Sequence, residues 1–443
     1  MPGKLSKYAT PQIFPDLPIK AEQDQKANEL ANFDFKEYAI TLARLVADNQ
    51  TQTPLTIGVS GVWGTGKTTL LTLVKEMLDQ TTCFEDTTLP NPDFLGRDEF
   101  PEGFRKCKTV WFNAWKYSDE DELLVALVRV MVQTMFADDF ISKGAAAIFN
   151  PFADRRDVIE TVLGWFSIKT PFGVEIKPTT GEARPAPLSE KIAVLDLFDE
   201  AFNRLMGVWV HRQLGPDVTK IDPRQGVLVI FIDDLDRCLP AKTVQVLEAV
   251  KLFLDKPGCV FVLGADVALI QQAVREHYKS VEGHRADDYI EKIIQLRFSL
   301  PLIAQTQMDA YVRGQISADS PLYKHWRTIV AGAESNLRKV KTSLNDLQLR
   351  WAVMQNKGET EHIDFDLFVS WEVLMRSSSR FRERMYGLRP VLDIDYELVK
   401  DLLDNAFKWA EGDEAARASF REDVTDQMRR VLREIKRSEE HTS

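Results

Sequence analysis

The run G-V-W-G-T-G-K-T at residues 61–68 constrains this chain more than any other stretch of comparable length. It fits G-x-x-x-x-G-K-[ST], and its setting is the one that pattern requires: a short β-rich run, Leu55–Ser60, precedes it and helical periodicity over residues 69–78 follows. Gly61, Gly64 and Gly66 let the backbone turn its N–H groups inward toward phosphate oxygens, and the following helix adds the positive end of its dipole. Within the segment Gly61, Val62, Trp63, Gly64, Thr65, Gly66, Lys67, Thr68 and Thr69, read together as the nucleotide-binding stretch, Lys67 is expected at the β- and γ-phosphates and Thr68 on magnesium. Trp63 is assigned no chemistry beyond packing on the loop.

A second motif complements the first. Residues 227–238 read V-L-V-I-F-I-D-D-L-D-R-C, a continuous apolar run ending in carboxylates. Such a run suits a strand covered on both faces, and its acids then lie at the C-terminal edge of the sheet, where ligands bind in folds of this kind. Asp233 is expected to hold magnesium through water, and Asp234 to act as the base that orients an attacking water. Asp236 stays without a role, and Arg237 reads as neutralising local negative charge. The strand Cys259–Gly264 is expected between the two motifs, with Asp266 just past its end. That aspartate fits either a sensor of nucleotide state or the N-cap of the next helix.

Strands at Leu55–Ser60, 108–113, 226–232, Cys259–Gly264 and 295–300 alternate with helical stretches, which implies a parallel α/β sheet. After Pro301 the strand signal disappears and the chain reads as helical, including a charged amphipathic helix over 336–351. The expected organisation is an N-terminal helical segment at 1–54, a core at 55–302 with an insertion at about 140–187, helices at 303–410 and a charged helix at 411–436. Residues 437–443, R-S-E-E-H-T-S, equal one translated frame of a common sequencing adapter. The natural chain is therefore expected to run on past this point, the alternative being a genuine frayed polar end.

Composition narrows the class. The 443 residues carry a formal net charge of −11, which argues against broad non-specific binding to nucleic acid or anionic membranes. The most apolar stretch, Leu123–Phe136, is too short to span a bilayer and contains Arg129 and Gln133. Cys83, Cys107, Cys238 and Cys259 lack zinc or redox spacing and read as reduced thiols of a cytoplasmic protein.

Taken together these residues resemble the KAP family of P-loop NTPases. The likeness rests on both nucleotide motifs, on W-F-N-A-W-K-Y at 111–117, on F-V-L-G-A-D at 261–266 and on Y-I-E-K-I-I-Q-L-R-F-S-L-P at 289–301, and it covers roughly residues 30–390. It implies an ATPase core of the additional-strand type, related to the AAA+ and STAND classes, with a helical insertion and a helical C-terminal lid domain. It also implies ATP and magnesium as cofactors, and an association of prokaryotic members with anti-phage or mobile-element systems. Two departures stand out. A span of 166 positions separates Lys67 from Asp233, yet it lacks the transmembrane helices that many members place there. Where the family's lid tends to read Pro-Arg-Arg, residues 377–384 read S-S-S-R-F-R-E-R, so that Arg380 is carried over as lid arginine against the alternative of an exposed basic face. Trp111 and Trp115 are expected as core anchors.

The leading expectation is an ATP-driven switch or motor that needs self-association or a protein partner. Arg285 and Arg297 are candidate arginine fingers, with salt bridges as the alternative for each. A small-molecule P-loop kinase and a scaffold that binds ATP without turnover are the competing readings.

Overall fold

The structure is a computed structural model that describes residues 33–79, 103–118, 123–138, 202–203, 206–207, 209–211, 222–251, 253, 256–277, 284–316, 320–334, 336–358 and 365–377. The elements in chain order are α1 (Phe35–Ala47), β1 (Leu55–Ser60), α2 (Lys67–Leu78), β2 (Lys106–Asn113), α3 (Leu123–Phe136), β3 (Gly226–Asp233), α4 (Pro240–Lys251), β4 (Cys259–Gly264), α5 (Val267–His277), α6 (His284–Ile293) and β5 (Leu296–Ser299). Four further helices follow: α7 (Gln305–Gln315), α8 (Trp326–Gly332), α9 (Leu337–Lys357) and α10 (Phe365–Ser377).

The five strands form one sheet in the order β2-β3-β4-β1-β5, with every pairing parallel. The expected α/β class is therefore what the chain adopts, and β4 separates the strand that leads into the glycine loop from the strand that ends in carboxylates. The interior strand β3 is buried along its whole length, because parallel sheets carry helices on both faces. Its side chains alternate between two cores. Val227, Val229 and Phe231 join α1, α2 and the C-terminal helices on one side. Leu228, Ile230 and Ile232 join α3, α4, α5 and α6 on the other. The period of two along a strand thus decides which helices each residue meets.

The core on the α1 side continues without interruption into α7–α10, through Met308, Tyr311, Val340, Leu344 and Val369. The described C-terminal helices therefore pack on the sheet's own helical layer. Asp34, the residue just before α1, accepts a hydrogen bond from Gln307 Nε2 of α7 at 2.9 Å. The other end of α1 is held by a side chain from a distant segment. Arg105 is 1% exposed, and its guanidinium donates to Val46 O from Nε (3.0 Å) and Nη2 (2.9 Å), and from Nη1 to Thr51 O (2.8 Å) and Pro223 O (3.1 Å).

Among the described residues no helix is long and apolar enough to cross a membrane. The 140–187 insertion, the 411–436 helix, residues 437–443, Cys83 and Arg380 lie outside the described residues.

Candidate active site

The glycine loop closes on itself before it meets anything else. Thr65 donates from both its backbone N–H (3.2 Å) and its hydroxyl (2.7 Å) to Val62 O, and Lys67 Nζ donates to Gly61 O at 2.8 Å. Two glycines are required for their backbone. Gly64 has φ +86° and Gly66 φ +102°, in the left-handed region where a side chain is strained. A Cβ on Gly66 would also lie 2.5 Å from Phe35 of α1.

A cavity of about 420 Å³ opens over this loop. Trp63, Gly64, Gly66, Lys67, Thr68 and Thr69 come to its wall from the loop, and Asp233, Asp234, Asp236 and Arg237 from the end of β3. Gly61, Val62 and Thr65 shape the turn from outside that wall, and Val62 is 57% exposed.

The acids differ from one another. Asp233 is 2% exposed; burial, reinforced by the neighbouring charge of Asp234, pushes its carboxyl up to about 6, against a hydrogen bond from the Thr68 side chain that favours the ionised form. Asp234 sits in the left-handed region, at φ 58° and ψ 27°. Asn113 Nδ2, at the end of β2, donates to its Oδ2 at 2.8 Å. Arg237 Nε lies 2.7 Å from its Oδ1 with the N–H turned away, an ion pair without a hydrogen bond. Asp236, to which no role was assigned, is the residue on Lys67: its Oδ2 is 3.2 Å from Nζ and also accepts the Asp266 N–H at 3.2 Å. The Asp266 carboxylate turns away from the cavity and accepts the Ala268 N–H at 2.9 Å, a helix-capping contact.

The two tryptophans of the W-F-N-A-W segment part company. Trp111 pairs with Phe231 across β2 and β3, stacks on its ring at 5.8 Å and reaches the cavity wall. Trp115 corrects the expectation of a core anchor. It is 52% exposed, because β2 has ended and the chain turns through a 3₁₀ turn at the open edge of the sheet. There the Arg237 guanidinium lies 5.3 Å from its ring and 5.7 Å from that of Trp63.

The C-terminal helices supply what sequence reading missed. Leu337, Arg338 and Lys341 of α9 and Tyr311 of α7 line the same cavity, and the Arg338 guanidinium lies 4.7 Å from the Trp63 ring. The only local signal was a charged helix, and nothing in residues 336–351 marks Arg338 apart from its neighbours. Arg297 pairs with Glu291 at 3.6 Å on the exposed β5 edge. The side chain of Arg285 lies outside the described set.

Comparison with known proteins fits this geometry. A family model described as the KAP family P-loop domain matches residues 35–354. The chain belongs to the KAP family. The KAP match takes in the whole sheet, the glycine loop and α9 as far as Met354. A curated relative of the KAP chain is the Phage T7 exclusion protein of Escherichia coli (strain K12), 21% identical over 290 residues, which cover 61% of this chain and 33% of that protein. The KAP chain thus spans about a third of that relative's length. Among solved structures, a chain of the structure of Drosophila ORC bound to DNA aligns at a TM-score of 0.35 and 12% identity, covering 93% of this chain and 83% of that one.

Proposed function

We propose that this KAP chain is a magnesium-dependent ATP hydrolase whose C-terminal helices act as a lid that opens and closes with the nucleotide. The observation that carries the reading is the convergence of Lys67, Thr68, Asp233 and Asp234 on one cavity over the glycine loop. Lys67 exchanges its Asp236 partner for the β- and γ-phosphates, where a fixed ammonium opposes accumulating charge. Thr68 and Asp233 are the residues that would hold magnesium. A hydroxyl joined to a buried carboxylate is an all-oxygen set that suits a hard dication, and a carboxyl raised to about 6 is one that lacks a neutralising charge. The bound ion would shield the charge that develops on the transferred phosphoryl group.

Asp234 orients the attacking water as a base, held in place by Asn113 and Arg237. Arg338 brings a second cation to the cavity from the lid side. Self-association or a protein partner completes the site with a further arginine, as such sites commonly need. A part in excluding phage is supported by the likeness to the Phage T7 exclusion protein.

Phosphate release, assayed with and without magnesium and with and without candidate acceptors, tests the reading. Lys67→Ala is expected to abolish release and ATP binding together. Asp234→Asn is expected to keep ATP bound while slowing release by a factor on the order of 100 or more. ADP formed only when an acceptor is present, with the phosphoryl group on the acceptor and none released as free phosphate, points to a kinase, and ATP binding with no ADP formed under any condition points to a scaffold. Wild-type turnover in Lys67→Ala refutes the assignment outright.

A further inference from the structure

Among the described residues, the side chain of Asn336 joins the glycine loop to the C-terminal helices by a hydrogen bond. It precedes α9 and is 8% exposed. Its Oδ1 accepts the Lys339 N–H at 3.1 Å, which caps the helix. Its Nδ2 donates to the backbone carbonyl of Trp63 at 2.7 Å, across 273 positions of sequence. The two segments are in close contact there, since a Cβ on Gly64 would lie 2.5 Å from Asn336 Oδ1 and 3.0 Å from Arg338 Cβ. Two residues along, Arg338 lies over the Trp63 ring and lines the cavity.

The bond has a direct consequence for the loop. In a planar trans peptide the C=O and the N–H point in opposite directions. Holding the Trp63 carbonyl on Asn336 therefore fixes the Gly64 N–H on the opposite side of the peptide. The flanking φ of +86° at Gly64 belongs to a residue with wide conformational freedom, and an untied peptide there is free to turn over.

We infer that Asn336 is a positioning residue for the nucleotide: by tying the Trp63–Gly64 peptide to the cap of α9 it presets the loop, and it makes the placement of Arg338 and the shape of the loop a single equilibrium. This inference rests on the ATP-binding reading above. Nucleotide that demands the preset loop then favours the docked position of α9, and undocking of α9 loosens the loop, a coupling that is reciprocal by thermodynamic necessity.

Asn336→Ser separates the tie from the cap. Serine keeps a capping oxygen and adds no charge, but it removes the amide donor. Asn336→Ala removes both. In Asn336→Ser the denaturation midpoint is expected to fall by less than in Asn336→Ala, since the capping oxygen is kept and only the tie is lost. In nucleotide-free protein the backbone amides of residues 63–66 are expected to exchange faster, and KM for ATP to rise about three- to tenfold with kcat nearly unchanged, the effect of one lost hydrogen bond felt in binding. A serine variant equal to wild type in both exchange and KM overturns the inference and reduces Asn336 to a helix cap. A serine variant as unstable as the alanine variant overturns it as well. Lys67→Ala, run alongside, reports on the underlying reading. If wild type and Lys67→Ala bind ATP equally, the ATP site itself is misplaced and the coupling falls with it. If they differ while Asn336→Ser matches wild type, only the coupling is wrong.

Discussion

Asp233 is a buried acid whose charged form is disfavoured by its surroundings, and a bound dication would relieve that cost. Its carboxyl is raised from an ordinary 3.8 to about 6, chiefly by burial. The native state therefore keeps a proton that the unfolded chain gives up across that interval. The contribution of this carboxyl to stability without metal then falls as pH rises from about 4 to about 6, by up to about 3 kcal/mol, and stays low above it. Asp233→Asn removes the charge and the slope together. Denaturant unfolding in the presence of a chelator is expected to show the variant more stable than wild type at pH 8 and little different near pH 4, while magnesium-dependent ATP binding is lost. Equal pH slopes in the two proteins would show that the carboxyl is not the source. At this scale the sequence was most informative where chemistry is local. The glycine loop and the apolar run into Asp233 announce themselves because every residue that defines them is adjacent. Asp236 did not, since its meeting with Lys67 spans the whole interval between the two motifs.

At the scale of elements, the positions of strands and helices in the described core followed from period and turn residues, to within a few residues at each end. Gly226 to Ile232 was read as a buried strand and became β3, one residue longer. What pattern reading could not supply were tertiary caps. The C-terminal end of α1 has no glycine stop. Its carbonyls are met by Arg105, which arrives from the start of β2 and also reaches the loop at Thr51 and the turn at Pro223. A guanidinium so deeply buried is made less basic by that burial, partly offset by nearby Asp48, and its hydrogen bonds go to backbone carbonyls. Arg105→Leu fills the volume but strips three carbonyls of their donor, at about 1 kcal/mol or more for each. Equilibrium unfolding is expected to register a loss of roughly 3 kcal/mol or more, with Arg105→Lys intermediate because one ammonium cannot serve all three. A loss under about 1 kcal/mol would mean that water replaces the side chain. The same reasoning explains why α9 read only as a charged helix: what distinguishes Asn336 and Arg338 is the loop they touch, and that loop lies 273 positions away.

At the scale of the whole molecule, one continuous core joins the sheet's α1 side to the C-terminal helices, so movement of those helices must work against apolar packing as well as against the contacts of α9 with the loop. The rim of the cavity carries two exposed tryptophans with arginines between and beside them, a composition that favours contact with another protein surface. Specific activity is accordingly expected to rise with protein concentration and to level off as self-association saturates, in step with particle size measured by light scattering. Activity that stays flat from nanomolar to micromolar chain, with no partner added, would count against assembly as a requirement.

The contact between Lys67 and Asp236 sets the terms on which any phosphate enters. The ammonium is already satisfied by a resident anion, and the Asp266 N–H holds that anion from behind. On the proposed function, arrival of nucleotide would be an exchange of one anion for another at a fixed cation, not the filling of a bare positive hole. Discrimination follows from such an exchange. A weak, singly charged anion gains no more from Lys67 than the carboxylate already does, whereas a polyphosphate that also engages the loop amides and a dication outbids it. On that reading the site is self-guarded: small inorganic anions would meet a lysine already paired with Asp236, and only a ligand able to make several contacts at once would release it.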